Sequence, residues 1–212
     1  MTRPLHAITL HPEWSWAIAY IPEPLAKRCE NRTWTPSPRQ LQPGDWLAIH
    51  AGALSCSRNG FVWCDRRSAV ADMAWEEQKR LMFSGQIPAQ HCRLSSHFTV
   101  ELGGCFRLDR EIMRETTSAI VALARVTGWD QDHHTAWDVP GQWHWRLDDV
   151  RVLDEPVPCG GRQKLWRPRP FDAERAIERA GLRYWRQDRD GIDLTGLYGL
   201  YDESDAVGVA DG

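Results

Sequence analysis

Residues 25–34 read Leu25-Ala26-Lys27-Arg28-Cys29-Glu30-Asn31-Arg32-Thr33-Trp34. The stretch is polar at most positions, yet it lies between two apolar runs, so its charges meet either a cleft or a sheet edge. Upstream, Leu5-His6-Ala7-Ile8-Thr9-Leu10 alternates apolar with small or polar residues and predicts a short strand, which His11-Pro12 breaks. Pro12 suits the first turn of a helix, and Trp14, Ile18 and Tyr20 within 13–21 supply an approximately helical apolar face. Pro22 and Pro24 close that helix. Downstream, 35–39 is a Pro-containing loop, and Pro43-Gly44-Asp45 is a tight turn into a buried strand, Trp46-Leu47-Ala48-Ile49-His50-Ala51, with His50 near its end.

The pattern changes after this strand. We read 53–117 as a partly helical insertion, with an amphipathic helix over 65–83 whose face carries Val70, Met73, Ala74, Glu77 and Leu81, and with a possible strand at 98–102. Core strands resume at Ser118–Val126. Trp143–Leu147 and Val150–Leu153 make two strands or one bent strand, and 172–182 is a short helix. The expected architecture is α+β, a small closed β-structure flanked by helices. One domain spans 1–190, and 191–212 form an acidic, flexible C-terminal tail.

The 212 residues are 42% hydrophobic and 26% charged, which excludes global disorder. No apolar run approaches the roughly 20 residues a bilayer requires, and the N-terminus lacks the apolar segment of a secretory signal, so a cytoplasmic protein is expected. A net charge of -3 argues against coating duplex DNA by bulk electrostatics but allows a local basic site. Trp, at 12 copies, outnumbers Tyr and Phe together, and indoles suit either core layers or stacking surfaces for bases. The six cysteines form no Cys-x-x-Cys pair and are expected as reduced thiols. Cys56, Cys64, Cys92 and Cys105 with His91 and His97 could in principle hold zinc, but no spacing is diagnostic. No metal and no cofactor are therefore expected.

Lys27, Glu30 and Arg32 are three ionisable groups within six residues. In an extended segment Glu30 and Arg32 share a face, and a bend before Glu30 brings in Lys27. If they line a cleft, Glu30 holds one cation by charge-assisted hydrogen bonds and a second cation is left for a polar or anionic ligand. The alternative is a solvated ion-pair ladder worth under about 1 kcal/mol. A lysine in such a cleft is pulled two ways, burial favouring the neutral amine and a close carboxylate the ammonium, and only the amine serves as base or nucleophile. His50 and His144 are further proton-exchange candidates, although His144, between Trp143 and Trp145, reads more readily as solvent-facing. His133 and His134 read as solvated. The C-terminal third is locally basic, with Arg162, Lys164, Arg167, Arg169, Arg175, Arg179, Arg183, Arg186 and Arg189 interleaved with Trp166, Tyr184 and Trp185. Such mixing suits a groove for single strands, or else a solvated helix face offset by nearby acids.

Leu10-His11 with Trp14, then Lys27-x-x-Glu30-Asn31-Arg32-Thr33-Trp34, then Leu47–Ala51, together resemble the ASCH domain of the PUA-like superfamily. Gly141–Trp145, Leu147–Val150 and Pro156–Trp166 resemble the closing strands of its longer bacterial and phage members. The resemblance covers 5–52 and 118–168. It implies a PUA-like small β-barrel with a cleft beside the Lys-x-x-Glu-x-Arg motif, associated with RNA or modified-nucleoside binding. Amidohydrolase relatives acting on N4-acetylcytidine use the motif lysine, a threonine three residues later and a distant glutamate. Lys27 matches the lysine, Glu30 stands where the threonine would, and Pro12-Glu13-Trp14-Ser15 replaces the usual Gln-Pro-Trp-Ala.

The resulting expectation is a protein that binds RNA, another single-stranded nucleic acid or a modified nucleotide. Lys27, Glu30 and Arg32 are its candidate catalytic residues. Trp14, Lys27, Arg32, Trp34, His50, Arg162, Lys164 and Trp166 are its candidate binding residues. The alternatives are a hydrolase in the same cleft, acting on N4-acylated cytidines or cleaving RNA, and a protein-interaction module working through the insertion.

Overall fold

A computed structural model describes residues 4–21, 23–53, 66–86, 116–185 and 199–202. It is an α+β structure built on a six-stranded, curled half-barrel sheet. In chain order the elements are β1 (His6–Leu10), α1 (Pro12–Ala19), β2 (Cys29–Arg32), β3 (Trp46–Ala51), α2 (Arg66–Phe83), β4 (Ala119–Asp130), β5 (Trp143–Pro158), β6 (Leu165–Trp166), α3 (Pro170–Arg179), β7 (Leu182–Trp185) and β8 (Gly199–Asp202). The sheet order is β2-β5-β4-β3-β1-β6, with β7 and β8 paired separately.

Alternation along β1 and β3 sends side chains to two covered faces, so both strands are buried apart from the half-buried Thr9. Ile8, Leu10, Leu47 and Ile49 enter one core with Ile18 of α1 and Trp145 of β5. Ala7, Trp46 and Ala48 enter a second core with Ala176 and Ile177 of α3. A sheet covered on both faces needs apolar residues at consecutive positions, which is the pattern seen in β3 and β4. A third cluster joins Trp16 and Ala17 of α1 to Val70 and Ala74 of α2, and places Trp137 under them. Because α1 is sandwiched in this way, its burial extends beyond the expected Trp14, Ile18 and Tyr20 stripe. Pro12, Glu13, Ser15, Trp16 and Ala17 are buried, while Trp14 and Tyr20 are half-exposed.

β1 and β3 run parallel, with Thr9 opposite His50, whereas β3, β4 and β5 are antiparallel neighbours. Trp143–Leu147 and Val150–Leu153 belong to a single strand, β5, whose register against β4 shifts three times. Asp149, at φ 41°, absorbs one extra residue at the Asp148-Asp149 step. α3 begins at Pro170 rather than 172 and ends before Gly181, which at φ 67° supplies the left-handed position that stops a helix. The segment expected as a flexible tail contributes β8, which pairs with β7 and satisfies that strand's backbone groups. No described helix is long and apolar enough to cross a membrane. The cysteines and histidines considered for zinc, and the possible strand at 98–102, lie outside the described residues.

The β4–β5 loop is pinned through one carboxylate. Asp138 accepts hydrogen bonds from the His134 and Thr135 amides at 2.7 and 3.0 Å, and both of its oxygens accept from Arg146 Nη1, at 2.8 and 3.0 Å. Arg146 also grips Asp130, at 2.6 and 2.9 Å. Burial pushes the Asp138 carboxyl upward, but the hydrogen bonds from Cys29, the two amides and Arg146 outweigh it and bring it down to about 2. A carboxyl lowered by folding stabilises the native state in full above its unfolded value near pH 4, and loses that contribution as pH falls through about 2. Asp138→Asn is expected to cost about 2–3 kcal/mol at pH 7 in urea unfolding. The gap to the parent should narrow below pH 4; a gap of constant size from pH 7 to pH 2 would show that the carboxylate charge does not matter.

Candidate functional site

The parallel strands β1 and β3 end side by side, and two adjoining cavities open there. Gly52 makes the approach possible: its amide donates to the Leu10 carbonyl at 2.8 Å, and a Cβ would lie 2.9 Å from that oxygen. The first cavity, of about 560 Å³, is lined by Lys27, Glu30, Asn31 and Arg32 on one side and by His11, Trp14, Ala69 and Met73 on the other. The second, of about 470 Å³, is lined by Trp34, His50, Gly161, Arg162, Gln163 and Lys164. Thr9, Arg32, Gly52 and Ala53 belong to both.

Lys27, Glu30 and Arg32 converge. Lys27 precedes β2, its amide donating to the Ala17 carbonyl at 3.1 Å, so the end of α1 sets its position. Its side chain is 2% exposed, and Nζ donates to the Cys29 carbonyl and, at 3.0 Å, to Glu30 Oε2. Glu30 Oε1 meets Arg32 Nη2 at 3.0 Å, with Glu30 8% and Arg32 27% exposed. These values exclude the solvated ladder. Arg32 Nη2 also donates to the Thr9 carbonyl at 3.4 Å, and Arg32 Nε is buried with no acceptor. By formal charge, two cations and one carboxylate leave the cluster at +1.

Asn31, which sequence reasoning did not single out, anchors the rear of the site. Its Nδ2 donates to the Trp137 carbonyl at 2.8 Å, and its Oδ1 accepts from the Val139 amide at 3.3 Å and from His144 Nδ1 at 2.8 Å. His144 is therefore not solvent-facing but fully buried, because antiparallel pairing sets it opposite Asn31. Its Nε2 has no partner, and burial lowers its pKa, with Asp138 opposing that shift and Arg146 adding to it. Neither cavity is lined by His144. Burial also pushes the Cys29 thiol up to about 12, Lys27 opposing, so Cys29 is no nucleophile. His133 and His134 are exposed, as the sequence predicts.

His50 donates from Nε2 to the Cys159 carbonyl at 3.0 Å, which leaves Nδ1 as a lone pair, buried and unpartnered. Burial lowers its pKa, and the Cys159 contact only partly offsets that. Trp34 lines the second cavity and meets Trp145 edge-on at 4.9 Å. Trp166 lines neither. It is 8% exposed, packs edge-on against His50 at 5.5 Å, and its indole N–H donates to Thr9 Oγ1 at 3.1 Å. Arg162 and Lys164 reach the cavity, but the other described basic residues of the C-terminal third disperse. Arg175 lies over Phe171, and Arg179 pairs with Glu155 at 2.5 Å.

Gly161 closes the second cavity from below. A Cβ there would lie 2.5 Å from His50 Cε1 and 2.7 Å from Thr9 Oγ1. No sequence signal marks this closeness beyond the paired glycines. Asp130, Asp132 and His134 could offer ligand atoms to a metal, but they are largely exposed, and Asp130 already serves Arg146.

In comparisons with known proteins, the chain matches no family model and no curated sequence.

Glu30→Gln strands two cations and is expected to cost about 3–5 kcal/mol in urea unfolding, and Lys27→Met/Glu30→Leu to recover most of it. A double variant no more stable than Glu30→Gln would show that the pair's charges are not the cause. Gly161→Ala is expected to destabilise by about 1–3 kcal/mol, read as a lower Tm, because neither His50 nor the strand end can retreat.

Proposed function

We propose that the chain is an ASCH-like domain of the PUA-like superfamily, and that its paired cavities hold a nucleotide or an exposed nucleotide of single-stranded RNA. The observation that carries the reading is the buried Lys27–Glu30–Arg32 cluster in the wall of the first cavity. A donor, an acceptor and a second donor, fixed by one another and by backbone, form the set of groups that reads the edge of a base. Both cavities fall in the roughly 300–1,000 Å³ range typical of small-molecule sites. Trp14 and Trp34, each half-buried, supply an aromatic surface to the first and second cavity respectively. The site also lies at the carboxyl ends of parallel strands, where open sheets leave a crevice.

Binding is favoured over hydrolysis. Lys27 Nζ is held in an ion pair with Glu30 and also donates to the Cys29 carbonyl, and an ammonium in such a pair has no lone pair with which to act as nucleophile or base. Glu30 takes the place of the threonine that the amidohydrolase relatives use.

A thermal-shift screen of nucleosides, nucleotides and short single-stranded RNA should raise the Tm for at least one ligand, since binding to the native state stabilises it. Arg32→Ala should weaken that ligand about tenfold, or ~1.4 kcal/mol. Products released from acylated cytidines or RNA, and lost in Lys27→Ala, would instead favour hydrolysis. No shift with any ligand would remove the nucleotide reading.

A further inference from the structure

The two cavities share a wall but differ in charge. The first contains Glu30; the second is lined by Arg32, Arg162 and Lys164 and, among the described residues, by no Asp or Glu. Neither Arg162 nor Lys164 forms an ion pair with a described carboxylate, and both side chains are exposed. Two cations without a described carboxylate partner, beside an Arg32 that shares Glu30 with Lys27, leave this concavity with an excess of positive charge that raises the local concentration of anions. His50 adds no charge, because burial favours its neutral form and Nδ1 lies beneath Gly161.

Two residues that line this cavity carry donor hydrogens without a described acceptor. Arg32 commits Nη2 to Glu30 and Thr9, while its Nε is buried and unpartnered. Thr9 Oγ1 accepts from the Arg162 amide at 3.2 Å and from Trp166, so its own hydroxyl hydrogen is left to donate. The loop that carries the cations is built rather than loose, held by that Arg162 amide bond and by Gly161 against His50. Lys164 has φ 60°, a left-handed conformation in which glycine is comfortable and lysine is strained. Strain of this kind is commonly stored where a side chain must be aimed.

We propose that the second cavity is an oxyanion subsite for a nucleotide phosphate, so that the ligand straddles Arg32 with its base in the first cavity. This deepens the nucleotide reading above and rests on it. The phosphate is carried either by a free mononucleotide or by a single-stranded RNA backbone; the chemistry is shared. Arg162 offers a planar donor fork to it, Arg32 its remaining Nη1, and Lys164 a point charge.

Isothermal titration of the full chain with inorganic phosphate, a nucleoside, its 5′-monophosphate and a short oligoribonucleotide tests this. The parent should bind the monophosphate about tenfold more tightly than the nucleoside at low salt, with a margin that shrinks as salt rises. Lys164→Gly removes the charge and relieves the backbone, so it should melt no lower than the parent while cutting that margin about threefold or more; Arg162→Ala should cut it similarly. Equal affinity for oligomer and monophosphate assigns the subsite to free nucleotides, and tighter oligomer binding assigns it to the strand backbone. A margin unchanged in both variants overturns the subsite. If nucleoside and nucleotide both fail to bind but inorganic phosphate binds and weakens in Lys164→Gly, the nucleotide reading falls and the anion site stands. If phosphate fails as well, both fall.

Discussion

The carboxylate of Glu30, held between Lys27 and Arg32, is the constraint on which the site depends. Two cations and an anion cannot be taken out of water unless each compensates the others, and here every contact also uses backbone: the Cys29 carbonyl for Lys27, the Thr9 carbonyl for Arg32. The cluster therefore couples three elements that are separate in the chain. Lys27 is tied to the end of α1 through Ala17, Glu30 and Arg32 lie in β2, and Thr9 is the penultimate residue of β1. A displacement of any one of them would strand a charge. That coupling keeps a polar segment folded against a sheet that is otherwise apolar on both faces.

The sheet's geometry turns this cluster into a recess. Parallel pairing of β1 with β3 brings two strand ends to the same side, and glycines 52 and 161 let backbone replace side chain at the closest approaches. Arg32 stands where the two cavities meet. One side of it presents an alternating set of donors and an acceptor, the other an excess of positive charge. A ligand with a neutral hydrogen-bonding part and an anionic part matches that asymmetry better than a uniformly charged or uniformly apolar one.

Behind the recess, Asn31, His144, Asp138 and Arg146 form a second polar layer. It lines the site only through Asn31 but holds the β4–β5 loop and β2 in register. Its strength comes from Asp138, whose carboxylate accepts from two backbone amides and a guanidinium within one buried locus. The unpartnered Nε2 of His144 shows the cost: once Asn31 claims Nδ1, the other ring nitrogen is enclosed without a donor.

Local patterns along the chain determined α1, through Pro12 and the prolines after it, and β3 and β4, through apolar runs that only a doubly covered sheet accommodates. They also allowed Lys27, Glu30 and Arg32 to meet, since an extended segment puts alternate residues on one face and a bend admits the third, but left open whether the three line a cleft or a solvated sheet edge. These are short-range matters, settled by backbone sterics and periodicity. Tertiary structure alone decided that His144 is buried, because its environment comes from strand pairing with Asn31, 113 residues away. It likewise decided that Trp166 packs on His50 rather than on a cavity, that β5 is continuous through Asp149, and that Gly161 lies against Thr9. Each depends on a partner distant in sequence, and the chain's own periodicity contains no record of which distant residue arrives.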